Sequence, residues 1–141
     1  MNEVVEINGR EAIICHPEKP NGKWALNTEY FDSFPEVQDK LLELGYYVAH
    51  IKNKTRWTHP SDTDARAELC KYMAERFNLG KCVIIGMSCG GMQGIYFASK
   101  YPELVSVMYL DAPVVNLLSC PAGLGKGMSL FEEFHDHTGM E

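Results

Sequence analysis

Four consecutive apolar residues, Cys82-Val83-Ile84-Ile85, run directly into Gly86-Met87-Ser88-Cys89-Gly90-Gly91, and a helix-compatible stretch follows from Gly91 to Lys100. Apolar side chains on successive strand positions point to opposite faces, so both faces must be covered. A short strand of that kind belongs inside a parallel sheet with helices packed on each side. The glycines that follow permit a turn too tight for residues with side chains at the flanking positions, so strand and helix are joined with almost no connecting loop.

The rest of the chain fits that frame. Val4 to Ile7 and Glu11 to Cys15 are β-rich runs separated by Asn8-Gly9, a dipeptide suited to the positive φ of a two-residue hairpin turn. Residues 16–28, with Pro17, Pro20, Asn21 and Gly22, show no periodicity and read as a loop. Val37, Leu41, Leu42 and Leu44 recur at helical spacing over 35–44, and Gly45 suits the residue beyond the helix end. Residues 46–51 read as a strand. A longer helix is expected over 62–78, with Ser61 as N-cap, Asp62 and Asp64 near the positive end of its dipole, an apolar stripe of Ala65, Leu69, Tyr72, Met73 and Phe77, and Gly80 closing it. After the helix of 91–100, Val105 to Leu110 form another apolar strand. The alternation of strand and helix predicts an α/β fold, a mostly parallel sheet with helices on both faces and right-handed crossovers. At 141 residues the chain holds one domain, with 1–111 as its sheet core and 112–141, rich in Pro and Gly, as the start of a lid or linker.

Composition narrows the function classes. Thirteen Lys and Arg against nineteen Asp and Glu give a net charge of −6, with no basic cluster, so a nucleic-acid backbone finds no electrostatic footing. The five cysteines, Cys15, Cys70, Cys82, Cys89 and Cys120, include no C-x-x-C pair and read as reduced thiols. No apolar run reaches the ~18 residues of a membrane helix, and the N-terminus MNEVVEINGR lacks a signal-peptide pattern, so a cytoplasmic location is expected. His135-Asp136-His137 is the one dense cluster of metal-ligand types, and a solvated tail accounts for it better than a metal site; no metal and no cofactor are expected. Gly125-Lys126-Gly127 fails the phosphate-loop pattern, and Ser88 stands where a dinucleotide fingerprint needs glycine.

Gly86-Met87-Ser88-Cys89-Gly90 is G-x-S-x-G. The bare pattern is common; its position after an apolar strand and before a helix gives it chemical meaning. In that context the turn holds a serine in a strained backbone at the C-terminal edge of the sheet. The amide of the next residue, Cys89, then faces the place where a tetrahedral intermediate would carry its negative charge. The expected catalytic residue is Ser88. Trp24, Tyr30, Phe31 and Trp57 are candidates either for an apolar acyl pocket or for the core.

The run CVIIGMSCGGMQGIYFASKYPELVSVMYLDAP resembles the strand, nucleophile elbow, helix and strand at the centre of the α/β-hydrolase fold, down to Ala98-x-x-Tyr101-Pro102-Glu103. PNGKWALNTEYFDSFP and PAGLGKG are similar to segments of a mostly uncharacterised bacterial subgroup of that family. Where that subgroup tends to have W-x-W-R and G-F-S-R-G, this chain has Trp24-Ala25-Leu26-Asn27 and Gly86-Met87-Ser88-Cys89-Gly90. The resemblance covers the N-terminal half of such an enzyme. It implies a serine hydrolase acting on an ester or similar acyl bond of a small molecule, with an acid and a histidine completing the triad. It also implies an oxyanion hole whose second donor comes from the loop after the hairpin, and the backbone at Trp24 is expected to supply it.

Family members place the acid and the histidine later in the chain than the serine, and neither is evident here. His16, His50, His59, His135 and His137 each read as non-catalytic, and Asp111 reads as a turn residue ending its strand, although some hydrolases of this fold carry their acid there. Strand 105–110 would leave an apolar sheet edge, so the chain is expected to be either the first half of a larger enzyme or a form whose edge is covered by homodimerisation. The alternative to an enzyme is a catalytically inactive remnant acting as a binding or interaction module.

Overall fold

The computed structural model describes residues 1–116 and 131–138. The sheet has six strands: β1 (Asn2–Ile7), β2 (Arg10–Cys15), β3 (Trp24–Asn27), β4 (Tyr47–Ile51), β5 (Cys82–Met87) and β6 (Val105–Asp111). Their order is β1-β2-β4-β3-β5-β6. The β1–β2 and β2–β4 pairings are antiparallel and the other three parallel. Among the described residues four α-helices accompany them, α1 (Glu36–Glu43), α2 (Pro60–Phe77), α3 (Cys89–Lys100) and α4 (Phe131–Thr138), with a 3-10 turn at Pro102–Leu104. The α/β class, the mostly parallel sheet and the hairpin are as the sequence predicts, with Asn8 at φ 50 and Gly9 at φ 79 in the turn.

The largest departure lies just before α1. Residues 24–27, assigned to a loop, form β3, which is buried at all four positions and lies between β4 and β5. Pro17, Pro20 and Gly22 break the pattern just before it, and Asn27 ends it with a polar group. That amide is satisfied inside the protein, its Nδ2 donating to Gln38 Oε1 at 3.2 Å. Trp24, Ala25 and Leu26 supply the apolar character, and Trp24 Nε1 donates to Gly80 O at 2.8 Å.

The connections run outward in opposite directions from the β3/β5 junction. From β3 the chain passes through α1 to β4 on one side, and from β5 through α3 to β6 on the other. Right-handed crossovers in opposite directions put their helices on opposite faces. Accordingly Val37, Leu41 and Leu42 of α1 pack on Cys15, Ala25, Val48 and Ile85. The other face joins Leu69 and Met73 of α2 and Phe97 of α3 to Ile14, Trp24, Leu26, Ala49, Ile51 and Ile84. In such sheets the reversal of strand order opens a crevice at the strands' C-terminal ends. Here that crevice lies where β3 ends at Asn27 and β5 at Met87.

Helix α2 begins earlier than its sequence pattern indicates. His59 is the N-cap, its Nδ1 accepting the Ser61 N–H at 3.1 Å, and Pro60 occupies the first turn, where its missing donor costs nothing. It ends on Asn78 in the left-handed conformation (φ 55), not on Gly80. Leu69 and Met73 of the expected stripe are fully buried. The polar start of α2 is buried too: the Asp62 carboxylate accepts from the Arg10 guanidinium and from the backbone N–H groups of Lys54 and Thr55.

At the other end of the sheet β6 pairs, among the described residues, with β5 alone, and Val107, Met108 and Tyr109 are 59%, 41% and 49% exposed. Cys15, Cys70, Cys82 and Cys89 are buried and in no disulfide among the described residues, while Cys120 lies outside them. So do Gly125-Lys126-Gly127 and most of the 112–141 segment expected to be a lid or linker. No helix among the described residues is long and apolar enough to cross a membrane.

Candidate active site

β5 passes into α3 through Ser88 alone. Its backbone sits at φ 53, ψ −119, outside the left-handed helical well that non-glycine residues ordinarily use when φ is positive. Hydrogen bonds on both sides hold it there: the Ser88 N–H donates to Asp111 O at 2.9 Å, and Ser88 O accepts from Gly91 N and Val114 N, each at 3.0 Å. The glycines make the turn possible. A Cβ on Gly86 would lie 2.7 Å from Gly90 O, and one on Gly91 would lie 2.5 Å from Pro113 Cβ. Ser88 is half-buried, and Cys89 after it opens α3, so the serine stands at the helix's N-terminus, where amides and dipole favour negative charge.

Opposite this turn stands the segment leaving β3. Thr28 N–H donates to Ile85 O at 3.1 Å, and its hydroxyl donates to Gly90 O at 2.6 Å. Gly90 meets this segment closely: a Cβ there would lie 2.9 Å from Thr28 Oγ1 and 3.3 Å from Glu29 N. The Glu29 carboxylate accepts from Asn53 Nδ2 and Gln93 Nε2, both at 2.9 Å. Tyr30 follows at φ 58; burial first, then its Cys89 neighbour, pushes its phenol above the usual range. A cavity of about 230 Å³ lies beside the two turns, its lining including Glu29, Tyr30, Phe34, Met87, Tyr109 and Asp111.

Trp24 is not part of this site. It is the first residue of β3, at the level of Tyr47 and near the start of β5, whereas Ser88 lies beyond the C-terminal end of β5. At about 3.3 Å per strand residue it is more than about 15 Å away, so the expectation of a donor at Trp24 is corrected. The amides that do meet the serine turn belong to the segment after β3. The expected position falls too early in the chain because residues 24–27 carry too little pattern to mark β3. Of the four candidate pocket aromatics only Tyr30 lines the cavity. Trp24 is core, Phe31 is buried and stacked on His50, and Trp57 is buried against Cys89.

Asp111 is brought beside Ser88, its backbone carbonyl accepting from the serine N–H, and it is among the residues lining the cavity. Three of the histidines are engaged elsewhere. His16 bonds Glu3 at 2.9 Å, His50 bonds Asn27 O at 2.9 Å, and His59 caps α2. His135 and His137 are exposed on α4, which reaches Arg56 through Glu133 at 2.6 Å. Among the described residues no histidine is hydrogen-bonded to the Ser88 hydroxyl. No group of three or more His, Cys, Asp or Glu among them is placed to hold a metal ion.

Burial dominates the environment of His50 and lowers its pKa below 6.5. The unfolded chain therefore binds this proton more tightly than the folded one. The stability due to neutral His50 is complete above pH 6.5 and is lost as the pH falls toward the depressed folded value. His50→Gln, which keeps a donor for Asn27 O, is expected to flatten the decline in melting temperature between about pH 7 and 5. Parallel pH profiles for wild type and variant would refute this assignment.

The match to known proteins agrees with this geometry. A family model described as the alpha/beta hydrolase fold matches residues 25–133. No curated protein matches the chain in sequence. Solved structures match in fold. A serine hydrolase involved in carbazole degradation shares 19% identity with a TM-score of 0.64, over 85% of this chain and 50% of its own. A probable hydrolytic enzyme from Pseudomonas aeruginosa PAO1 shares 20% with a TM-score of 0.57, over 81% and 41%. A highly thermostable carboxyl esterase from Bacillus coagulans shares 18% with a TM-score of 0.58, over 78% and 43%. The chain thus spans about half the length of these structures. With more than half of its residues inside the family match, and with the strand order and serine turn described above, the chain belongs to the α/β-hydrolase fold family.

Proposed function

We propose that this chain carries the nucleophile and oxyanion hole of a serine hydrolase acting on an ester or similar acyl bond of a small molecule. The observation that carries the reading is the backbone of Ser88, held at φ 53 and ψ −119 between a buried strand and a helix N-terminus. Strain of this sort persists only where the surroundings over-determine it, and it is concentrated at sites that do chemistry. In this reading the turn is a nucleophile elbow. Ser88 Oγ attacks the acyl carbon, and the carbonyl oxygen gains negative charge facing the Cys89 N–H. The second donor is the Glu29 N–H in place of Trp24, because the segment after β3 stands against Gly90. The alcohol leaves, and water hydrolyses the acyl-serine. Similarity in fold to a serine hydrolase and a carboxyl esterase supports the class of bond.

The base that takes the serine proton comes, in this proposal, from outside the described residues, and without it the serine reacts slowly. A triad lacking its base retains roughly 10³–10⁴-fold catalysis over water. The second reading is a binding module without turnover. A fluorophosphonate probe separates the two. Slow covalent labelling mapped by peptide mass to Ser88 is the expected outcome, and a folded sample that stays unlabelled at every position over a day would retire the enzyme reading.

A further inference from the structure

Arg66 of α2 is 1% exposed, and Gln93 of α3 is 0% exposed. Burial lowers the Arg66 pKa to about 10, so it is charged at neutral pH. Its Nη2 donates to Asn53 Oδ1 and, at 2.7 Å, to Gln93 Oε1. Its Nε and Nη1 have no hydrogen-bond partner among the described residues. A buried cation so incompletely paired contributes little to stability, and well-packed apolar residues of similar volume often do as well. Its chemistry does something an apolar residue would not. A guanidinium has donors and no acceptor, so it can only be met by the carbonyl oxygens of the two amides.

That constraint fixes which way both amide groups face. With its oxygen turned to Arg66, Asn53 donates through Nδ2 to Thr28 O at 2.7 Å and to Glu29 Oε2 at 2.9 Å. Gln93 donates through Nε2 to the same Glu29 oxygen at 2.9 Å and to Arg56 O at 3.0 Å. The segment after β3 is thus gripped by its backbone at Thr28 and by its side chain at Glu29. We infer that Arg66, Asn53 and Gln93 form a positioning unit that sets the Glu29 amide as an oxyanion donor. Arg66 polarises two amides, and the amides hold the turn that faces Ser88. These are positioning residues, since none of the three is assigned contact with the reacting atoms. The inference rests on the serine-hydrolase reading above.

Reversing the polarity of one link tests it. Gln93→Glu keeps an acceptor for Arg66, and gives that cation a carboxylate partner, but removes the donor to Glu29 and sets a like charge against it. The expected result is a folded protein whose fluorophosphonate labelling rate constant falls about 10-fold or more, since losing an oxyanion donor altogether costs about 10²–10³. Adding Glu29→Gln restores a donor-acceptor pair of opposite sense, and the double variant is expected to recover to within about 3-fold of wild type, the interaction term of a double-mutant cycle. A purely structural role would reduce the fraction of protein that can be labelled and leave the rate constant of the folded fraction unchanged. Wild-type labelling with an unaltered rate constant in Gln93→Glu overturns the positioning unit and leaves the hydrolase reading intact. A loss of rate that Glu29→Gln fails to recover also overturns it. Absence of labelling in wild type overturns both.

Discussion

Ser88→Gly is expected to melt about 2–4 °C higher than the wild type while losing covalent labelling by more than about 10³-fold, a direct exchange of reactivity for stability. The backbone at φ 53, ψ −119 is a region that glycine enters freely and that costs a residue with a Cβ about 1–3 kcal/mol. Glycine also loosens the unfolded chain, which offsets about 0.5–1 kcal/mol of the gain. The net is about 1 kcal/mol, and for a domain of this size each such unit moves the midpoint by about 2–4 °C. Ser88→Ala separates the two effects. It removes the same hydroxyl and keeps the Cβ, so labelling is lost while the melting temperature stays close to wild type. Thermal melts of the two variants side by side decide the matter: if glycine is no more stable than alanine at this position, the turn is not strained, and the strain-based case for reactivity at Ser88 fails.

Fold and site differ in how far the sequence discloses them. Cys82 to Ile85 announce a covered strand because four apolar residues in succession admit few other placements, and Asn8-Gly9 announces the hairpin because few other dipeptides accept two positive φ angles. Both signals are local. β3 is different: it is four residues long and owes its existence to the strands on either side, so Trp24 to Asn27 carry too little pattern of their own. With β3 hidden, Trp24 is the residue expected to approach the serine turn, whereas the segment that meets Gly90 is Thr28 and Glu29. The burial of Asp62 and Arg66 is likewise invisible from helical spacing, since a polar residue early in a helix ordinarily reads as a solvated face. Their partners, Arg10, Asn53 and Gln93, come from three other parts of the chain, and pairing at such separations leaves no periodic trace. The tight turn at Ser88 is legible because one short motif encodes its local geometry. Its surroundings are not, because they are assembled by the sheet.

The same geometry makes Gly86 the least replaceable residue of the turn. An added Cβ would stand 2.7 Å from Gly90 O, 2.8 Å from Gly91 Cα and 3.0 Å from Gly90 C. All three neighbours are backbone, so no side chain can rotate aside, and relief requires α3 to move off β5. That movement would disturb the Thr28–Gly90 contact and the pairing of β6 with β5 through the Ser88–Asp111 hydrogen bond. Gly94 presents a milder case, since the atom its Cβ would crowd is the Ile84 Cγ2 methyl at 2.7 Å, with Leu110 Cδ2 and Thr28 Cγ2 at ordinary contact distances of 3.8 and 3.9 Å, and Gly80 has nothing within 4 Å. Gly86→Ala is therefore expected to cost about 3 kcal/mol, the upper end of overpacking penalties, and to lower the melting temperature by about 6–12 °C. Gly94→Ala should cost less, and Gly80→Ala should stay within about 0.5 kcal/mol of wild type, as substitutions in open space do. Labelling should be lost in Gly86→Ala even in the fraction that remains folded, because a shifted α3 carries the Cys89 N–H with it. Equal stability of Gly86→Ala and Gly80→Ala in denaturant titrations would show that strand and helix do not approach as closely as the turn requires.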